Sequence, residues 1–174
     1  MPETQARTAT TQALATETQV EETFVLIKPD AVRRKLVGEI VGRLEHRDLK
    51  MVAARLVRPT RELAGQHYGD EIAQRYGEEI RNALLDYVCG GPCLAMVWRG
   101  PEAVATARGA VGLRPQPGDC EPGSVRRDFG CDTIEASRAE RRALENLVHT
   151  SDAHGSAQQE IRLWGLMDER QLRQ

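Results

Sequence analysis

Thr23-Phe24-Val25-Leu26-Ile27-Lys28 is a short apolar, β-branched run, and Pro29-Asp30 follows it at once. A run of this length and composition with a hard stop reads as a buried strand. Downstream, Leu36, Ile40, Val41 and Leu44 recur at helical spacing, which predicts an amphipathic helix to about Arg47. Met51 to Val57 reads as a second strand ending before Pro59. Thr60 is placed to cap a helix running to about Tyr68, and Glu78 to Val88 carries Ile80, Leu84, Leu85 and Val88 on one helical face. Gly90-Gly91-Pro92 breaks that helix, and Cys93 to Trp98 is a third strand. Pro101 is placed to open the next helix, which ends near Gly109 or Gly112.

From Gly112 to Gly123 the chain holds Pro115, Pro117, Gly118 and Pro122, so it reads as a long loop, and such loops are often functional. Ile134 to Leu144 reads as an Arg-rich helix, Leu147-Val148 as a short fourth strand, and Ser156 as the cap of a last helix. The order β-α-β-(αα)-β-α-loop-β-α fits an α+β fold. It predicts a ferredoxin-like, four-stranded antiparallel sheet with helices on one face and a long loop before the last strand. Residues 1–21 are polar and aperiodic and read as a disordered tail, residues 22–164 as the domain, and residues 165–174 as a short polar tail.

Composition narrows the function. Hydrophobic residues make up 40% and charged residues 29% of 174 residues, which suits one globular domain. A net charge of −2 argues against broad attraction to nucleic acid. Aromatics at 4% are too few for a base-stacking sheet. No apolar run approaches the ~20 residues of a membrane helix, and the start of the chain reads as neither a secretory signal nor a transit peptide. The expected compartment is the cytoplasm, with Cys89, Cys93, Cys120 and Cys131 as free thiols. Their spacing does not suit a zinc site.

Glycine-loop nucleotide motifs and metalloprotease or hydrolase motifs are missing from the sequence, so any phosphates must be held by side chains. Among the histidines, His46, His67 and His154 read as surface or structural residues. His149 differs, because it follows an apolar pair and precedes Thr150-Ser151-Asp152, where a strand feeds a helix-starting turn. Such a place gives a group both fixed position and access. A neutral imidazole there is available as a nucleophile.

Asn146-Leu147-Val148-His149-Thr150-Ser151-Asp152 closely resembles the active-site signature of nucleoside diphosphate kinases, N-x-x-H-[GA]-S-D. Thr23 to Ile40 is similar to the opening strand and helix of that family, Gly91-Pro92 to its central segment, and Glu121 to Phe129 to its P-G-[ST]-[IV]-R-x-D-F block. The resemblance spans roughly residues 23 to 164 in order. It implies a ping-pong reaction in which ATP, GTP or another nucleoside triphosphate gives its γ-phosphate to His149 and a nucleoside diphosphate collects it. It assigns Glu160 to orient the histidine, Ser151 to support it, and Lys28, Arg108 and Arg126 to the phosphates and ribose. Tyr68 falls near the transferred phosphate and Asn146 at the ribose hydroxyls. Mg²⁺ would bridge the phosphates, mostly without protein ligands. A homo-tetramer or homo-hexamer is the implied assembly. The alternative is a catalytically silent relative that binds nucleotides or acts as a scaffold.

Three departures from the family pattern stand out. The stretch from His67 to Pro92 is longer than in short members, and the base-stacking Phe falls near Ile80, or at Tyr76 if the extra residues are placed differently. The loop after Arg108 has Arg114-Pro115 where the family has a phosphate-contacting Thr, so Arg114 is a candidate substitute. Cys131 to Glu145 is an insertion carrying Arg138, Arg141 and Arg142, placed to cover the site or meet a neighbouring subunit.

Overall fold

The computed structural model describes residues 20–167. Strand β1 (Val20–Ile27) is central in a four-stranded antiparallel sheet of order β2-β3-β1-β4, with β2 at Lys50–Val57, β3 at Cys93–Pro101 and β4 at Val148–Thr150. The α+β reading and the antiparallel sheet hold. Helices cover both faces, however, not one. Val25, Ile27, Met96 and Trp98 point to a core built with α1 (Pro29–Arg33), α2 (Val37–Glu45) and α6 (Ala103–Val111). Phe24, Leu26, Ala95 and Val97 point the other way, to α3 (Arg61–His67), α5 (Glu78–Cys89) and α9 (His154–Leu163). Alternate residues of β1 thus enter two cores, which is why its sequence is apolar without a break. Each fully buried large side chain contributes about 1.5–3 kcal/mol.

The remaining short helices are α4 (Asp70–Tyr76), α7 (Val125–Phe129) and α8 (Ile134–Ala139). Thr60 caps α3 as expected, its hydroxyl accepting from the Leu63 amide at 3.2 Å. Elsewhere the boundaries move. Pro29 does not merely end β1; its fixed φ suits the first position of α1. Pro101 is the last residue of β3, and α6 begins two residues later. The expected helix over 134–144 stops at Ala139, and Arg141 turns the chain at φ 52°. Ser156 is not the cap of α9, which starts after Ala153. The fourth strand is Val148–Thr150, so His149 sits inside it.

Of the expected N-terminal tail, residues 1–19 lie outside the described residues, while Val20 and Glu21 open β1. At the other end, Leu166 and Met167 pack on the core beneath α9, and residues 168–174 lie outside the described residues.

Candidate active site

β4 pairs with β1 so that His149 stands opposite Leu26, on the face shared with α3 and α9. That register brings together residues far apart in sequence. His149 Nε2 lies 2.8 Å from Glu160 Oε1, and the Ser151 hydroxyl donates to Glu160 Oε2 at 2.5 Å. The Ser151 hydroxyl also accepts from the Phe24 amide at 3.2 Å, so β1 anchors the serine that anchors the carboxylate. An ionised Glu160 accepts at both oxygens, which sets His149 as the Nε2–H tautomer and leaves Nδ1 as the lone-pair nitrogen. Nδ1 has no hydrogen-bond partner among the described residues. Burial first, then the charges of Lys28 and Arg126, hold the His149 pKa down at about 3. The imidazole is therefore neutral at physiological pH.

Lys28 stands between β1 and α1, and its ammonium donates to Asn146 Oδ1 at 2.8 Å. Burial, then repulsion from Arg126, lowers its pKa to about 7. The Asn146 amide donates in turn to the Pro115 carbonyl at 3.1 Å, so both ends of this side chain are engaged. Arg126 is buried and splays over four carbonyls: Gly112 at 2.8 Å, Arg114 at 3.0 Å, Asn146 at 3.3 Å and Val148 at 2.6 Å. Those bonds use four of its five N–H donors and tie the 112–123 loop to β4. Gly112 carries φ 114°, and a Cβ there would meet Cys120 Sγ at 2.8 Å and Arg126 Cβ at 3.3 Å. Arg108, half-buried on α6, adds to the positive field at His149, and its side chain makes no hydrogen bond among the described residues. Arg114 is exposed, and its side chain makes no such bond either.

Tyr68 lies beside His149, with ring centroids 6.3 Å apart, and its buried hydroxyl lacks a partner among the described residues. Burial pushes its pKa up, so it remains a donor. His67, which the sequence reading takes as structural, belongs to this site. Its ring meets His149 edge-on at 4.4 Å, and Trp164 Nε1 donates to its Nδ1 at 3.3 Å. Burial, then His149, holds its pKa at about 3, so its 3.8 Å approach to Glu160 is a neutral contact. The only signal in the sequence is its place next to Tyr68.

A second missed group shapes the strand itself. The Val148 amide donates to the Asn146 carbonyl at 2.8 Å, closing a γ-turn around Leu147 at φ 70°. This turn is rare and strained. It is held by Asp30, whose Oδ2 accepts from the Leu147 amide at 3.2 Å, and by the Lys28 amide, which donates to the Leu147 carbonyl at 2.8 Å. The Tyr87 hydroxyl donates to Asp30 Oδ1 at 2.6 Å and fixes that carboxylate.

A cleft of about 480 Å³ opens from Lys28 and Asn146. Its walls are Tyr76, Ile80 and Leu84 on one side and Ile134 and Leu144 on the other. The insertion therefore covers the cleft, and both candidates for the missing aromatic position line it. His67, His149 and Glu160 place ligand atoms within 4.8 Å of one another. Two imidazoles and one engaged carboxylate do not fit Mg²⁺, which prefers an octahedral shell of oxygens.

The nucleoside diphosphate kinase family model matches residues 21–169. This chain belongs to the nucleoside diphosphate kinase family. It is 43% identical over 145 residues to the nucleoside diphosphate kinase of Symbiobacterium thermophilum, covering 83% of this chain and 87% of that one. It is 42% identical over 151 residues to human nucleoside diphosphate kinase 3, covering 86% and 79%. A transition-state mimic of the Borrelia burgdorferi nucleoside-diphosphate kinase with bound vanadate and ADP superposes with a TM-score of 0.81. It has 31% identity over 87% of this chain and 89% of that chain. An NDP kinase from Pyrobaculum aerophilum gives 0.79 at 30% identity, covering 88% and 99%. Among the described residues no helix is long and apolar enough to cross a membrane.

Proposed function

We propose that this protein is a nucleoside diphosphate kinase that carries the phosphoryl group on His149. The observation that bears most weight is the chain Ser151–Glu160–His149, which leaves one neutral ring nitrogen free beside Lys28. In the first half-reaction Nδ1 attacks the γ-phosphorus of ATP, GTP or another nucleoside triphosphate. The N–P bond forms as the bond to the β-bridging oxygen breaks, and a nucleoside diphosphate leaves. The Nε2 proton stays on the ring, where Glu160 stabilises the positive charge that develops. In the second half-reaction a terminal oxygen of another diphosphate attacks the phosphohistidine and restores the starting ring. Splitting the transfer lets one site serve donor and acceptor in turn.

Phosphoryl transfer spreads charge over the non-bridging oxygens, so positioned cations supply much of the rate. Lys28 and Arg108 are the candidates with donors to offer, joined by the last donor of Arg126 and the Tyr68 hydroxyl. Asn146 holds Lys28 through its Oδ1 and has its second amide hydrogen left to offer a ribose hydroxyl. The nucleotide then lies with its phosphates toward His149 and its base between Ile80 and Ile134. Mg²⁺ enters as part of the nucleotide substrate, held by its phosphates. The alternative of a silent binding module fits less well, since it gives no reason for a neutral, oriented histidine beside buried cations.

The finer expectations belong to the same reading. A homo-tetramer or homo-hexamer is carried over from the family resemblance, and Leu56 on the edge strand β2 and Leu113 in the long loop are exposed and available to such contacts. A cytoplasmic setting is supported by the free cysteines. The domain comprises residues 22–164 and the segments already placed at its two ends. Initial rates with both nucleotides varied test the mechanism. Parallel double-reciprocal lines are expected, and intersecting lines, the mark of a ternary complex, would contradict it.

A further inference from the structure

The insertion at residues 131–145 forms one wall of the cleft, and it is built to stay there. Thr133 caps α8, accepting from the Ala136 amide at 3.1 Å. The Ile134 amide donates to Gln116 Oε1 at 3.0 Å, pinning the start of α8 to the long loop. Arg142 NH2 donates to Asp132 Oδ1 at 2.9 Å, and Asp132 Oδ2 accepts from the Glu145 amide at 2.8 Å. These bonds buckle the two ends of the insertion together.

On this braced segment Ile134, Ser137 and Arg138 of α8, and Arg141 just beyond its end, all line the cleft. Arg142 is spent on Asp132 and Glu140. Arg138 and Arg141 are exposed, and their side chains make no hydrogen bond or ion pair among the described residues. Arg141 also takes a left-handed φ of 52°, a costly conformation for a residue with a long side chain. The cleft thus offers apolar walls for a planar ring, and two uncommitted guanidinium groups at its edge.

We propose that Arg138 and Arg141 read the base, making this cleft prefer guanine over adenine nucleotides. The inference rests on the kinase reading of the same cleft. Guanine presents O6 and N7 as adjacent acceptors, which match the two parallel donors of a guanidinium. Adenine puts an amino group where guanine has O6, so a guanidinium there meets a donor. Solvent-exposed arginines give less than a buried bidentate pair, so the effect is modest: roughly threefold to tenfold.

The test compares GDP with ADP as phosphate acceptor, using one fixed donor and the full chain. The ratio of kcat/KM values, GDP over ADP, is expected to be roughly threefold to tenfold. In the Arg138→Gln, Arg141→Gln double variant the ratio falls toward one. Arg138→Lys, which keeps charge but loses the fork, gives a ratio between the two. Because the readout is a ratio within one preparation, partial misfolding lowers both terms and leaves it unmoved. A wild-type ratio of one or below, or a ratio the double variant does not change, overturns the proposal. Loss of transfer to both acceptors in the wild type is a different result and overturns the kinase reading beneath it.

Discussion

The two ends of the cleft are built differently. At the inner end Lys28 and Asn146 line the cleft, and they belong with Arg126, His149, Ser151 and Glu160 to a centre held by buried and half-buried hydrogen bonds that cross the fold. At the outer end, Tyr76 and Ile80 are 51% and 43% exposed and offer surface rather than bonds. The inner end is over-determined, as a reacting centre requires. The outer end covers a ring mainly by contact, with the exposed Arg138 and Arg141 at its edge, which suits an enzyme that serves several bases with a modest preference among them. Substitutions at the inner end are therefore expected to lower kcat, and those at the outer end to raise KM.

The largest effect is expected at Lys28. Lys28→Met removes the buried cation whose charge acts most strongly on His149, and kcat/KM is expected to fall by on the order of 10²–10³ in steady-state assays. A fall of only a few-fold would remove the charge argument. Glu160→Gln comes next. It keeps the size of the side chain but not its charge, so kcat is expected to drop by roughly 10–100-fold with little change in KM.

A third expectation concerns Tyr87, which never faces the substrate. Tyr87→Phe frees Asp30 and relaxes the turn at Leu147, so kcat is expected to fall about tenfold while urea unfolding shows a loss of only about 1 kcal/mol. The same loss of stability with an unchanged kcat would reduce Tyr87 to a packing residue. The smallest effect belongs to the outer wall: Ile80→Ala is expected to raise KM a few-fold at constant kcat. A kcat loss there would erase the contrast between the two ends.

Lys28 also gives the contrast a pH signature. Its pKa in the free protein is about 7, and a bound phosphate raises it. Binding at pH 8 therefore takes up a proton, and affinity falls as pH rises through 7. Calorimetry in buffers of different ionisation heat reads that uptake directly, and Lys28→Met is expected to abolish it. His149, by contrast, stays neutral down to about pH 3 and contributes no titration in this range.

The inner end was largely legible in the sequence, because its residues sit in short motifs whose chemistry is specific. Lys28, Arg126, Asn146, His149, Ser151 and Glu160 do converge. Tyr68 packs beside them, and Arg108 stands nearby as a source of field. What the motifs could not carry is which partner each donor takes. Arg126 gives its bonds to carbonyls and Asn146 gives its carbonyl oxygen to Lys28, and both facts depend on contacts across the fold. His67 was missed for the same reason: only the pairing of β4 with β1 brings α3 against His149. The two-sided sheet was hidden too, since an unbroken apolar strand does not say how many helices cover each face. At the outer end the place of α8 turns on the Arg142–Asp132 buckle, which no local pattern announces.

The phosphoryl carrier is tested most directly by incubating the protein with radiolabelled nucleoside triphosphate, in wild-type and His149→Ala forms. The wild type is expected to take up label that is acid-labile and base-stable, as an N–P bond requires, and to lose it on addition of a nucleoside diphosphate. His149→Ala is expected to take up none. Equal labelling of the two proteins, or label stable to acid, would contradict the account.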